Sequence, residues 1–219
     1  MIVVIQCAAS KRAGAGHLMS AKGEPVVFVA QPQGAPASGN VLYARPDDFS
    51  DNGLTWRDAL QKYNATPSVN PLGLYPAHRL YDNGTYGRLV ARFGLKNVYI
   101  LSAGWGLITA DFLTPYYDIT YSQSAEPYKR RKKSDRYRDL RLLPEQTRED
   151  IVFFGGRDYL PSFCELTASV TTRKTVFYNS NQLPSTPGCM LRRFETSTRT
   201  NWHYECANAF VDGELKAGA

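Results

Sequence analysis

The sequence predicts an α/β fold: a mostly parallel sheet flanked by helices, with an elaborated basic flank. Two observations carry this expectation. Short apolar runs at 2–5, 98–101 and 151–154 each end in a polar or glycine-rich turn, and stretches with helical spacing lie between them. The runs are apolar without alternation, which is the pattern of strands covered on both faces.

The elements follow in order. The first strand is Ile2 to Ile5, and it ends in Gln6-Cys7-Ala8-Ala9-Ser10-Lys11. Residues 14–53 read as an insertion-like loop region. Within it Val26 to Ala30 is a β-branched strand, while Gln31 to Asn40, with Pro32, Gly34, Pro36 and Gly39, is an exposed excursion. Leu54, Ala59, Leu60 and Tyr63 share helical spacing. A second helix is expected to start near Asn83, to carry Tyr86, Leu89, Val90 and Phe93, and to stop at Gly94. The central strand, Val98 to Leu101, runs into Ser102-Ala103-Gly104-Trp105-Gly106. Leu113 to Tyr121 is too aromatic for an ordinary surface loop and is expected to fold over a pocket. Pro144 to Asp150 reads as a short helix start with proline at its head. A strand at 151–154, a helix through Tyr159, Leu160, Phe163 and Leu166, and strands at Thr175 to Tyr178 and Met190 to Phe194 complete the reading.

With 219 residues and 43% hydrophobic content, the chain can bury one enzyme-sized core, and a single domain over 1–219 is expected. No apolar run approaches the ~20 residues of a membrane span, and the start lacks signal-peptide features, so a cytoplasmic protein with no membrane partner is expected. Cys7, Cys164, Cys189 and Cys206 form no C-x-x-C pair, and His17, His78 and His203 are isolated. Neither a metal nor a cofactor is expected, and no Walker-type phosphate loop is present.

The formal net charge of +6 favours a polyanionic partner. The charge is concentrated in a basic segment at 126–143. Between Lys129 and Arg141 eight cationic residues face two acidic ones, with Tyr137 among them. A solvated loop would explain this run as well as phosphate binding would. Lys11, Arg12, Lys129, Arg130, Arg131, Lys132, Lys133 and Arg136 are the candidate nucleic-acid contacts.

Ligands of open parallel sheets bind beyond the carboxyl ends of the strands. That rule gathers Cys7 and Ser10 from the first strand end, and Ser102, Gly104, Trp105 and Gly106 from the central one. It adds Gly155, Gly156, Asp158 and Tyr159 from the third and Asn179 from the fourth. The glycines would let backbone amides meet an anion, and Trp105 would offer a flat face to a base or sugar. Tight turns are the alternative explanation of the same glycines.

The ordered islands Val4-Ile5-Gln6-Cys7-Ala8-Ala9-Ser10-Lys11, Pro76-Ala77-His78-Arg79-Leu80-Tyr81, Leu101-Ser102-Ala103-Gly104-Trp105-Gly106-Leu107-Ile108 with Pro115-Tyr116-Tyr117-Asp118, and Gly155-Gly156-Arg157-Asp158-Tyr159 resemble motifs of the YaaA-like superfamily. The resemblance implies association with DNA, double-stranded in the first instance, and by similarity of setting work on an N-glycosidic bond, with stress response or defence as the context. Cleaving that bond develops oxocarbenium character, which a carboxylate can stabilise while activating water. Asp118, among Tyr116, Tyr117 and Tyr121, is the leading catalytic candidate, and Asn179 is a candidate to orient water. Asp158 is a second carboxylate that would equally serve as a helix cap. Tyr117 and Tyr159 join Trp105 as stacking candidates for a flipped base. The expectation is therefore a DNA glycosylase removing a normal or modified base. The alternatives are a non-catalytic DNA-binding stress-response protein and a nucleoside or nucleotide N-glycoside hydrolase.

Overall fold

The computed structural model describes residues 1–66, 69–132 and 134–217. In chain order the elements are β1 (Ile2–Gln6), β2 (Val26–Val29), β3 (Leu42–Ala44), α1 (Trp56–Ala65), β4 (Tyr75–Pro76), α2 (Ala77–Leu80), α3 (Gly84–Phe93), β5 (Val98–Ser102), β6 (Gly106–Thr109), β7 (Leu113–Thr114), β8 (Tyr117–Asp118), β9 (Leu140–Arg141), β10 (Ile151–Phe154), α4 (Leu160–Leu166), β11 (Lys174–Tyr178), β12 (Cys189–Arg193) and α5 (Trp202–Val211). The main sheet has seven strands in the order β12-β11-β10-β1-β5-β6-β9. All neighbours in it are parallel except β5 and β6, which form an antiparallel hairpin. The chain is thus α/β with a mostly parallel sheet flanked by helices.

Burial explains the strand sequences. Every residue of β5 and of β10 is buried, as are the first four of β1, so no solvent face exists to demand polar residues. Successive β10 side chains point to opposite layers. Phe153 stacks on Phe163 of α4 at 4.4 Å between ring centroids, whereas Phe154 meets Phe210 of α5 at 5.4 Å. Phe210 also stacks on Phe93 of α3. Helix α4 therefore covers one face of the sheet, and α3 with α5 covers the other. Helix α3 begins where Asn83 accepts a hydrogen bond from the Thr85 N–H at 2.9 Å and ends at Gly94 with φ of 84°.

Region 14–53 supplies more than a loop. Strand β2 pairs with β3 on one edge and with β8 on the other in a separate parallel sheet ordered β3-β2-β8, which fixes Tyr117 and Asp118. The helix expected at 144–150 is absent; the segment is a series of turns and bends leading into β10. Helix α5 had no counterpart in the sequence reading.

The turn between β5 and β6 is shaped by two buried arginines. Arg57 of α1 donates from Nη1 to the Trp105 carbonyl at 3.0 Å and from Nη2 to the Gly104 carbonyl at 3.1 Å. Arg131 donates to the Ala103 carbonyl at 2.9 Å. Gly106 follows at φ 92°, where a Cβ would lie 2.6 Å from the backbone N and O of Leu140. Gly106→Ala combines a disfavoured backbone conformation with a clash against backbone that cannot swing away. It is expected to cost about 3 kcal/mol, read as a fall of roughly 6–12 °C in Tm by differential scanning fluorimetry. An unchanged Tm would mean that β9 yields freely.

Candidate functional site

From β1 the chain leads to β5 on one side, and from β10 it leads to β11 on the other. Connections diverge there, so a crevice opens at the carboxyl ends of β1 and β10. A cleft of about 460 Å³ occupies it. One side is built from Gln6, Cys7, Ala8, Ala9 and Ser10 with Asp82 and Asn83. The other carries Gly156, Arg157, Asp158 and Tyr159, and Thr120, Ser122 and residues 199–204 close the rim. A second cleft of about 340 Å³ lies beside it, over the ends of β10 and β11, and includes Tyr178, Asn179 and Gln182. Arg157, Asp158 and Trp202 border both and form the partition.

A buried polar network underlies the larger cleft. The Cys7 thiol lies 3.2 Å from the Tyr159 hydroxyl and accepts from the Ala103 N–H at 3.4 Å. Tyr81 and Tyr117 share a hydroxyl contact of 2.8 Å, and Ser102 donates to the Tyr117 hydroxyl at 2.9 Å. Burial, reinforced by Cys7, holds the Tyr81, Tyr117 and Tyr159 phenols well above their ordinary pKa. They remain neutral donors. Lys11 donates to the Ala9 carbonyl at 3.1 Å and sits 4.3 Å from the centre of the Tyr117 ring. Burial lowers its ammonium pKa, against the pull of Cys7 and Asp118.

Of the residues expected to bind substrate, Cys7, Ser10, Gly156, Asp158 and Tyr159 meet at this cleft. Ser102 and Tyr117 lie beneath it in the network. The Gly-Trp-Gly turn has a different role. Trp105 is 0% exposed, packed edge-on against Phe28 at 4.9 Å and against Tyr117, and offers no face to a ligand. Nor do Gly104 and Gly156 present free amides. The N–H groups of Gly104 and Trp105 both donate to Ser102 Oγ, and that of Gly156 donates to Gln6 Oε1 at 2.6 Å. Gly104 and Gly106 are small because Tyr117 and Leu140 approach them, and Gly155 because the Phe153 ring would lie 2.3 Å from a Cβ.

Asp118 borders neither cleft and pairs with Lys129 at 2.8 Å. Asn179 lines the second cleft, where its amide donates to the Thr198 carbonyl at 3.3 Å. Asp158 does not cap a helix: neither the short 3-10 turn at Arg157–Tyr159 nor α4 has a side-chain cap.

The basic segment is partly spoken for. Lys129 also pairs with Glu126 at 2.6 Å, and the hydrogen bonds it donates to Asp118 and then to Glu126 raise its pKa. Arg131 is buried, joined to both Asp139 oxygens at 2.9 and 2.6 Å, with its guanidinium 3.9 Å from the centre of the Tyr137 ring. Desolvation opposes its charge, but Asp139 outweighs this and keeps the pKa high. Arg130 donates to the Gln123 carbonyl. Arg12, Lys132 and Arg136 are exposed, and Lys133 falls outside the described residues. Among the described residues no three His, Cys, Asp or Glu are grouped to hold a metal ion, and no helix is long and apolar enough to cross a membrane.

The sequence reading missed Gln6, Asp82, Arg157, Arg199 and the first residues of α5. Asn201 followed by Trp202, Cys206 and Phe210 at four-residue spacing was the available signal. His203 is 4% exposed, and burial depresses its pKa to about 4. In the unfolded chain it titrates near ~6.5, so the unfolded state binds the extra proton as pH falls. The stability this histidine confers is full above pH ~6.5 and is lost progressively down to about pH 4. The loss is on the order of 2–3 kcal/mol. Thermal melts of wild type and His203→Phe should diverge in slope over that window, the variant being less acid-sensitive. Parallel slopes would refute the assignment.

No protein-family model, no curated protein and no solved structure matches this chain.

Proposed function

We propose that this protein is an N-glycoside hydrolase acting on DNA, a glycosylase that receives an extruded base in the cleft between β1 and β10. One observation carries the reading most directly. Asp158 is an exposed carboxylate at the partition between two adjoining clefts, and it makes no hydrogen bond or ion pair among the described residues. Such a group is available to stabilise an oxocarbenium-like sugar and to activate water, the role first expected of Asp118. The surroundings agree. Tyr159, Trp202 and Tyr204 supply aromatic edges for a base, Cys7, Ser10 and Asn83 supply polar contacts, and Arg157 and Arg199 supply charge for phosphates. The resemblance to the YaaA-like superfamily supports the same partner.

The test is incubation of the protein with normal and hypermodified DNAs, followed by alkaline cleavage at abasic sites. Base release that Asp158→Asn abolishes is the expected result; no abasic product from any DNA overturns the reading. A free nucleotide is the second candidate substrate. It is favoured by the commitment of Lys129 and Arg131 to internal ion pairs, which reduces the basic segment's capacity for a duplex. The same assay with nucleotides separates the two.

A further inference from the structure

We infer that Cys164 and Cys189 are a thiol oxidation site, at which a small-molecule disulfide of the glutathione class joins them in a bridge that ties α4 to β12. The pair borders neither cleft and stands independently of the function read there. Strand register sets the geometry. Phe153 of β10 faces α4, and its parallel partner in β11 is Val176. Lys174, two residues earlier, points to the same layer, and its ammonium donates to the Thr167 and Val170 carbonyls just beyond α4 at 2.9 and 3.0 Å. Cys189 is the register partner of Lys174, so its side chain also points toward α4, which carries Cys164. The two thiols lie within hydrogen-bonding reach of each other, and both residues are half-buried and unbridged. Cys7 and Cys206, 2% and 0% exposed, lie beyond a soluble oxidant.

The two sulfurs differ in reactivity. A hydrogen bond from Cys189 lowers the Cys164 pKa to about 7, helped by the Lys174 ammonium and opposed by desolvation, while the same contact and burial raise that of Cys189. Cys164 is therefore the attacking thiolate and Cys189 the resolving thiol. The Cys164 thiolate attacks one sulfur of glutathione disulfide and breaks that S–S bond, and the first glutathione leaves with the proton Cys164 had lost. Cys189 then gives up its proton, its sulfur attacks Cys164 Sγ, and the second glutathione leaves with that proton. Two cysteine thiols are oxidised and one disulfide is reduced to two thiols. The ring so closed contains Asn179, Gln182 and Pro184 of the second cleft, so the bridge restrains that wall.

The test treats the reduced full chain with glutathione disulfide, without denaturant, and reads free thiols, a peptide map by mass spectrometry, and Tm. Two of the four thiols should disappear, and a peptide linking Cys164 to Cys189 should appear and be lost again in dithiothreitol. The oxidised chain should gain about 5–15 °C in Tm, the range for a bridge closing a ring of this size. Cys189→Ala should stop at a stable mixed disulfide on Cys164, and Cys164→Ala should take up glutathione several-fold more slowly at neutral pH. Thiols left unreacted, a wild-type mixed disulfide on Cys164 that Cys189 never resolves, or a bridge between two copies of the chain overturns the proposal. So does a bridge that lowers Tm or forms only in urea, since the folded chain would then not hold the sulfurs in bonding geometry.

Discussion

Asp158→Asn is expected to lower base release by about 10²- to 10⁴-fold, the range for removing a positioned acid–base group, while salt-dependent DNA binding persists. The substitution keeps the side chain's size and removes its charge and basicity. Because Asp158 is exposed and makes no internal bond, folding should be indifferent to the change, and Tm should stay within about 2 °C. Asp118→Asn is the informative companion. That carboxylate pairs with Lys129 outside both clefts, so its loss should change base release by no more than a few-fold. The measurement is the initial rate of alkali-labile site formation on the best DNA substrate. If Asp158→Asn keeps full activity, the assignment of chemistry to the partition fails.

Arg57→Ala is expected to produce the largest stability loss, about 3–5 kcal/mol, the cost of breaking a buried ion pair by removing one partner. Arg57 is 2% exposed and bonds to Asp47 at 2.6 Å as well as to the two turn carbonyls. Truncation would leave the Gly104 carbonyl without its donor and Asp47 without its counter-charge, while the Trp105 carbonyl keeps the Leu140 N–H at 2.9 Å and Asp47 keeps the Arg138 N–H at 3.0 Å. Arg57→Lys should recover little, because one ammonium cannot reproduce the planar fork that reaches two carbonyls and a carboxylate. Chemical denaturation reads both variants. A loss below about 1 kcal/mol would mean that water replaces the guanidinium at little cost.

Much of the scaffold was legible in the sequence because it depends on local physics. The runs at 2–5, 98–101 and 151–154 are apolar on both faces and became β1, β5 and β10. Asn83 and Gly94 marked the ends of α3 through capping, which is a short-range effect. The site was less legible because partners distant in sequence decide it. Trp105 looks like a stacking platform until Arg57, 48 positions away, is seen holding its carbonyl. Asp118 looks like an available carboxylate until Lys129 comes within 2.8 Å. The stretch at 144–150 has a helix's opening residues but too few apolar ones to bury a face, and it stays in turns. Helix α5 mixes His203, Glu205 and Asn208 among its apolar positions, which blurred its period.

The central position of β1 also governs the order in which the molecule is assembled. Its neighbour β10 arrives late: Gln6 and Gly156, which join the two sides of the cleft, lie 150 positions apart. During synthesis at ~5–20 residues per second, β1 waits roughly 8–30 s with one hydrogen-bonding edge unpaired and apolar residues uncovered. Pairing so distant in sequence is slow even in a released chain, since loop closure precedes any reward in contacts. The nascent protein is therefore vulnerable to aggregation until β10 has been made, and the cleft becomes competent only once residues 199–204 at its rim have followed.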